Sequence, residues 1–158
     1  MQLKTNTMKK QKKLGGLEDI LLNLPTAKKV ELMYSIGMNH DNPQEVYQMA
    51  VMLSQNGYHK ESLELFSRAS SMGNAQATTR KAQCLLVGEG CVADHKAALK
   101  TFEQSAGQGD LWGSLAAAFL YHVGLGVERN DKKAEKYLAN VINNELLASQ
   151  FFKDDTKQ

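Results

Sequence analysis

Four histidines, two cysteines and two short glycine patterns are the residues of this chain whose types could carry chemistry. A metal centre needs ligands at helical or knuckle spacing. His40, His59, His95 and His122 offer none: no two stand four apart, and no His-Glu-x-x-His is present. His59 and His95 fall near turns and read as solvated, whereas His122 sits late on an amphipathic stretch, away from its apolar stripe. Cys84 and Cys91, seven apart, form neither a disulfide framework nor a zinc knuckle, and read as reduced thiols in or near a core. Gly88-Glu89-Gly90 and Gly124-Leu125-Gly126 resemble fragments of phosphate loops. Such a loop follows a strand, has a longer glycine pattern and commonly ends in Lys-Ser/Thr, none of which is found here. No serine has a G-x-S-x-G context, and no carboxylate pair stands apart from the helical faces. The expectation is a chain that is not an enzyme, with no cofactor, no metal and no small-molecule substrate.

The elements available to position anything are helices. At 158 residues the chain has the length of one domain. Only two prolines interrupt it, and Ala, Leu, Lys, Glu, Gln and Met are plentiful, side chains that lose little rotamer freedom on a helix. Long β-branched runs are missing, so a sheet has little to be built from. The net charge of +2 conceals a basic start: residues 1–13 hold five lysines and no acid, and the remainder is mildly acidic. This tail is the one feature that points to nucleic acid. With no aromatic or arginine to stack on bases it reads as a solvated terminus, and no nucleic-acid partner is expected. Met8 leaves the start open between Met1 and Met8. Residues 14–24 are broken by Gly15, Gly16, Glu18 and Asp19, unlike a secretory signal, and no stretch approaches a membrane span. The chain is expected in the cytoplasm.

An internal repeat organises the rest. Gly88-Glu89-Gly90 recurs as Gly124-Leu125-Gly126, 36 residues later. The same offset carries Leu85 to Tyr121, Ala82 to Ala118, Ala98 to Ala134 and Phe102 to Leu138; run backwards it takes Gly109-Asp110 to Gly73-Asn74 and Phe102 to Phe66. Each unit divides into two helical patterns. In the first, Val46, Met49, Ala50 and Leu53 form one stripe, Gly57 closes that helix, and Ser62, Leu63, Phe66 and Ala69 follow before Gly73. Small Ala50, Ala82 and Ala118 let paired helices approach closely, while Phe66 and Phe102 fill the space between pairs. The later units have four more residues in the turn, with Asp94 and Asp131 expected to cap the helices that follow.

The order Gly-x-Gly-Val, acidic residue, Lys-Ala and paired aromatics resembles the Sel-one-like repeat, a longer-turn relative of the tetratricopeptide repeat. The third unit matches best, through Tyr121, Gly124-Leu125-Gly126-Val127, Asp131, Lys133-Ala134 and Tyr137-Leu138. The second keeps Gly88, Gly90, Asp94, Ala98 and Phe102 but departs at Lys81 and Thr101, where the family prefers leucine and an aromatic. The first, with its short turn, looks like a plain tetratricopeptide repeat. The resemblance implies an all-α, short right-handed α-solenoid of about three helix–turn–helix units (43–74, 75–110 and 111–145) within a repeat region 43–152. Around it are expected a basic tail at 1–16, N-terminal helices at 17–42 packing on the first repeat, a C-terminal capping helix at 146–152 and a polar tail at 153–158.

By the same resemblance, the first helix of each unit lines a concave face. Its outward residues are Tyr47, Val51, Ser54 and Gln55, then Thr79, Gln83 and Leu86, then Leu115, Phe119 and His122. The row holds no acid and suits a peptide segment or helix of another protein. For Val51, Leu86 and Phe119, packing between repeats is an equal alternative. The implied function is a protein–protein adaptor or regulator of bacterial type. The alternative is a tetratricopeptide-type chaperone for a type III secretion translocator, a class from which the Gly-x-Gly turns depart.

Overall fold

The structure is a computed structural model that describes residues 22–154 along the backbone and side chains as far as residue 144. The basic tail at 1–16, most of the first N-terminal helix, the side chains of the 146–152 cap and the end of the polar tail lie outside the described residues. Among the described residues there are seven helices and no strand. They are α1 (Thr26–Asn39), α2 (Pro43–Gln55), α3 (His59–Ser71), α4 (Ala75–Val87), α5 (His95–Gly107), α6 (Leu111–Val123) and α7 (Asp131–Asp154). Of the described residues, those up to Ile36 fall in one compact unit and those from Gly37 onward in another, which contains the repeats.

Within that second unit, α2–α3, α4–α5 and α6–α7 are three helical hairpins, and each helix packs chiefly on its neighbours in sequence. This nearest-neighbour pattern defines a helical solenoid. Local chemistry sets the boundaries. Asn42, Asn74, Asp94 and Asp110 accept backbone N–H groups at the starts of α2, α4, α5 and α6. In the third unit Asn130 does this work, its Oδ1 accepting the Lys133 N–H at 3.0 Å. The cap expected at Asp131 is therefore one residue earlier: Asn130 is the 36-residue counterpart of Asp94. Asp131 instead pairs with Arg129 at 2.9 Å.

The apolar stripes close the hairpins as their spacing requires. Val46, Ala50, Leu53, Phe66, Ala69, Ala82, Ala98, Phe102 and Ala118 are all buried, and Leu65 joins them. The small residues bring backbones together, so that Ser62 Oγ on α3 donates to the Ala50 carbonyl of α2 at 2.9 Å. Between units, Ser70 and Thr78 share a hydrogen bond of 2.8 Å, and within the second unit the Ser105 hydroxyl lies 3.3 Å from the Ala75 carbonyl. At the end of the array Leu138, the counterpart of buried Phe66 and Phe102, is 39% exposed. The backbone of the expected capping segment is continuous with α7, which runs to Asp154.

The Gly-x-Gly turns reach across units. Gly88, Gly90, Gly124 and Gly126 all have φ between 72° and 79°. A Cβ on Gly90 would lie 2.3 Å from the His59 carbonyl oxygen, and one on Gly126 2.5 Å from that of His95. Each long turn thus rests on the first residues of the second helix in the preceding unit. Gly73 also has positive φ (93°), but a Cβ there would meet nothing within 4 Å. In the third hairpin, Tyr121 and Tyr137 stack with centroids 6.0 Å apart, and both hydroxyls donate to Glu103 Oε1 at 2.6 and 3.2 Å. Burial, then the Glu103 carboxylate, pushes both phenols up to about 12.

Two measurements check these contacts. Gly73→Ala is expected to cost about 1 kcal/mol in urea denaturation, from backbone strain alone. Gly126→Ala adds a backbone collision and is expected to cost roughly 2–4 kcal/mol. Equal losses would mean the turn-to-helix contact contributes nothing. In an alkaline absorbance titration, two of the five tyrosines should ionise near pH 12 rather than 10. The unfolded chain releases those protons first, so the folded state loses stability as pH rises from about 10 to 12. Glu103→Gln should draw both midpoints downward; unchanged midpoints would contradict the assignment.

Candidate functional site

The first helices of the three units, α2, α4 and α6, present matching rows. An offset of 32 and then 36 residues aligns Gln44, Gln76 and Trp112, then Tyr47, Thr79 and Leu115, then Val51, Gln83 and Phe119, then Ser54, Leu86 and His122. Formal charges are scarce on this face: Glu45, Arg80 and Lys81 are the only Asp, Glu, Lys or Arg on the three helices. Between them lies an open pocket of about 400 Å³ lined by Tyr47, Gln76, Thr79, Arg80, Gln83, Asp110 and Trp112. The structure therefore brings Tyr47 and Gln83 together across two units, and adds Trp112 from the third.

Thr79 requires a correction. It is 5% exposed, and its hydroxyl donates to Asp110 Oδ2 at 2.6 Å and shares a hydrogen bond with Ser105. Through Asp110 it holds the N-cap of α6, where the third unit begins, and it offers a partner no free group. Leu86 is half-buried and packs against the core shared by those two units, and Val51 is half-buried too. Ser54 is half-buried, with its hydroxyl donating to Glu89 Oε1 at 3.2 Å. Gln55 and Gln83 are exposed. On α6 an apolar strip faces solvent, with Leu115 40% and Phe119 60% exposed.

The histidines are anchored more firmly than their spacing suggested. His59 Nδ1 lies 2.6 Å from Glu89 Oε1, in the tip of the first long turn, so it is exposed as expected near a turn and also paired. His122 Nδ1 meets Asp131 at 2.9 Å beside Arg129, and those two partners hold the Asp131 carboxyl below its ordinary range, Arg129 foremost. Its imidazole stays largely exposed. Among the described residues no group of three or more His, Cys, Asp or Glu is placed to hold a metal ion. Cys84 is buried and free, its thiol pushed up to about 11 chiefly by burial; Cys91 is free and half-buried.

Three residues of this face escaped the sequence reading: Gln76, Arg80 and Trp112. Trp112 is the single tryptophan, and it is 72% exposed on the first turn of α6. Extending the 36-residue offset one turn earlier along the helices would have placed it beside Gln76. Arg80 lies over the Phe66 ring at 5.5 Å, its Nη1 donating to Gln83 Oε1 at 3.0 Å. A second depression, of about 550 Å³, involves α5 and Val127. It carries lysines and carboxylates of mixed sign and none of the expected contact residues.

No protein-family model matches the chain. A human protein, protein sel-1 homolog 2, is 32% identical over 101 residues, which is 61% of this chain. The chain spans only 15% of that relative's length. Among solved structures, the protective antigen c5321 of uropathogenic Escherichia coli, described as displaying an SLR fold, superposes with a TM-score of 0.66. It is 23% identical, over 70% of this chain and 25% of that one. A Sel1 repeat protein from Oxalobacter formigenes gives 0.64 at 16% identity, over 74% of this chain and 49% of that one. Helicobacter pylori cysteine rich protein B gives 0.57 at 17% identity, over 74% and 86%. Repeat sequence and hairpin architecture agree: the chain has the helix–turn–helix repeat fold of these Sel1-like structures and is similar in sequence to a Sel1 homologue.

Proposed function

We propose that this chain, a non-enzymatic protein-binding repeat scaffold, acts as an adaptor that holds a peptide segment or helix of one partner protein on the face built by α2, α4 and α6. The observation that carries the proposal is the apolar strip on α6. Trp112, Leu115, Phe119 and Val123 are 72%, 40%, 60% and 48% exposed on one helix of thirteen residues. Exposed aromatics clustered beside glutamines are what binding hot spots are made of, and a solvated face has no use for them. The second helices, by contrast, carry seven lysines and five glutamates against one of each on the first helices, as a solvated outer face does. Two free thiols suit a reducing compartment, in keeping with a cytoplasmic adaptor.

The same strip also favours the second reading, a chaperone that shields an unfolded apolar segment of a secreted client. Affinity capture from the native cell separates them. Both Trp112→Ala and Phe119→Ala remove exposed rings, so helical content should be unchanged. One specific partner should bind less tightly by about 2 kcal/mol, roughly thirtyfold in Kd, to either variant. A folded partner supports the adaptor, and a membrane-active client kept soluble only by this chain supports the chaperone. A captured set identical for wild type and both variants would show that the partner binds elsewhere.

A further inference from the structure

We propose that the pocket between α2, α4 and α6 reads a carboxylate: an acidic side chain of an extended peptide seats on Arg80, with a neighbouring apolar side chain against Trp112. The proposal rests on the reading of this face as the binding surface and adds the chemistry of what it selects.

Arg80 is the reason. A guanidinium offers five N–H donors in a fixed fork that matches a carboxylate. Here Nη1 donates to the neutral Gln83, and Nε is buried with no hydrogen-bond partner. Among the described residues no carboxylate lies within 4.0 Å of Arg80, whereas Arg129 has one at 2.9 Å. Asp110, the other charged residue of the lining, is already committed. Its Oδ1 accepts the Trp112 backbone N–H at 2.9 Å and its Oδ2 the Thr79 hydroxyl at 2.6 Å. The pocket therefore has one cation without a carboxylate partner and one anion whose two oxygens already accept hydrogen bonds.

The setting also fixes Arg80 in advance. Its guanidinium carbon lies 5.5 Å from the centroid of the fully buried Phe66 ring, which holds the fork against the wall of the pocket. Preorganised donors bind without the ordering cost of a free side chain. Around them the walls are neutral: Gln76, Gln83 and Tyr47 can meet peptide N–H and C=O groups, and the Trp112 indole stands in solvent as an apolar platform. One arginine in a glutamine-lined pocket fits a carboxylate; recognition of a phosphorylated residue uses clusters of arginine.

A random peptide library displayed on phage tests this against the full chain and its Arg80→Gln variant, with circular dichroism confirming that both fold alike. Wild type should enrich Asp or Glu next to an aromatic or branched aliphatic residue, and Arg80→Gln should lose the acid but keep the apolar preference. The best peptide and its acid-to-amide analogue are then titrated while following the emission of Trp112, the only tryptophan. The amide form should bind wild type about tenfold more weakly, a difference reduced to about twofold or less in Arg80→Gln and intermediate in Arg80→Lys. Selected peptides without an acid that still change Trp112 emission would overturn the carboxylate and leave the binding face standing. So would an acid-to-amide loss that is equal in both proteins. If neither protein enriches any peptide, the proposal falls together with the face on which it rests.

Discussion

A methyl group at Gly90 would stand 2.3 Å from one backbone carbonyl of the preceding unit, and a methyl at Gly126 2.5 Å from another. Those two missing methyls set the geometry of the array. They let a turn backbone lie directly on the start of a helix, which fixes how far each hairpin slides along its predecessor. Every contact on the first-helix face inherits that register. The Thr79–Asp110 hydrogen bond forms only because the third unit arrives at one height, and Tyr47 faces Gln83 only because the second does. The side chain between the glycines contributes as well: Glu89 reaches back to His59 and Ser54, both in the unit before it. In the next turn Leu125 replaces Glu89 and packs into the core, so the same backbone contact is backed once by charge and once by apolar burial.

The hairpins were legible because a solenoid repeats its physics. The glycine pairs, the alanine close approaches and the Phe66 and Phe102 spacers recur at one offset, and each recurrence reports the same steric demand. Single side chains at the seams were harder. Thr79 sits on the outward side of α4 by helical spacing, and only the arrival of Asp110, the N-cap of α6, turns that side inward. Asp131 carries the carboxylate that suits a cap, yet the 36-residue offset from Asp94 falls on Asn130, and there the cap forms. Arg80 and Trp112 were missed for a related reason. Attention to the apolar stripe selects the residues facing the core, and these two lie on the flank, where the neighbouring unit decides whether a side chain is covered.

The division of labour between the two helices of each unit follows from charge. The second helices place lysines and glutamates outward, where water screens them at little energetic consequence. The first helices do almost entirely without charge, so the few groups they do carry act with little competition. An arginine among glutamines keeps its field, and an indole among alanines keeps its area. Of the strongly displaced groups, Tyr121 and Tyr137 pack in the third hairpin and bond to Glu103 of the second, and Cys84 is buried on α4.

The pocket has one further property, which comes from its three owners. Strong packing in the array runs between successive helices, so the first and third units are mechanically joined through the second. Such a stack flexes like a spring, by small rotations at each joint. An occupant touching Tyr47 on α2 and Trp112 on α6 would bridge the spring end to end, resisting in one contact the bending that two joints otherwise share. The cost of stiffening would be drawn from the affinity. Anything that loosened a joint elsewhere, such as losing a glycine at a turn, would then be felt at the pocket as weaker binding, with no residue of the pocket changed.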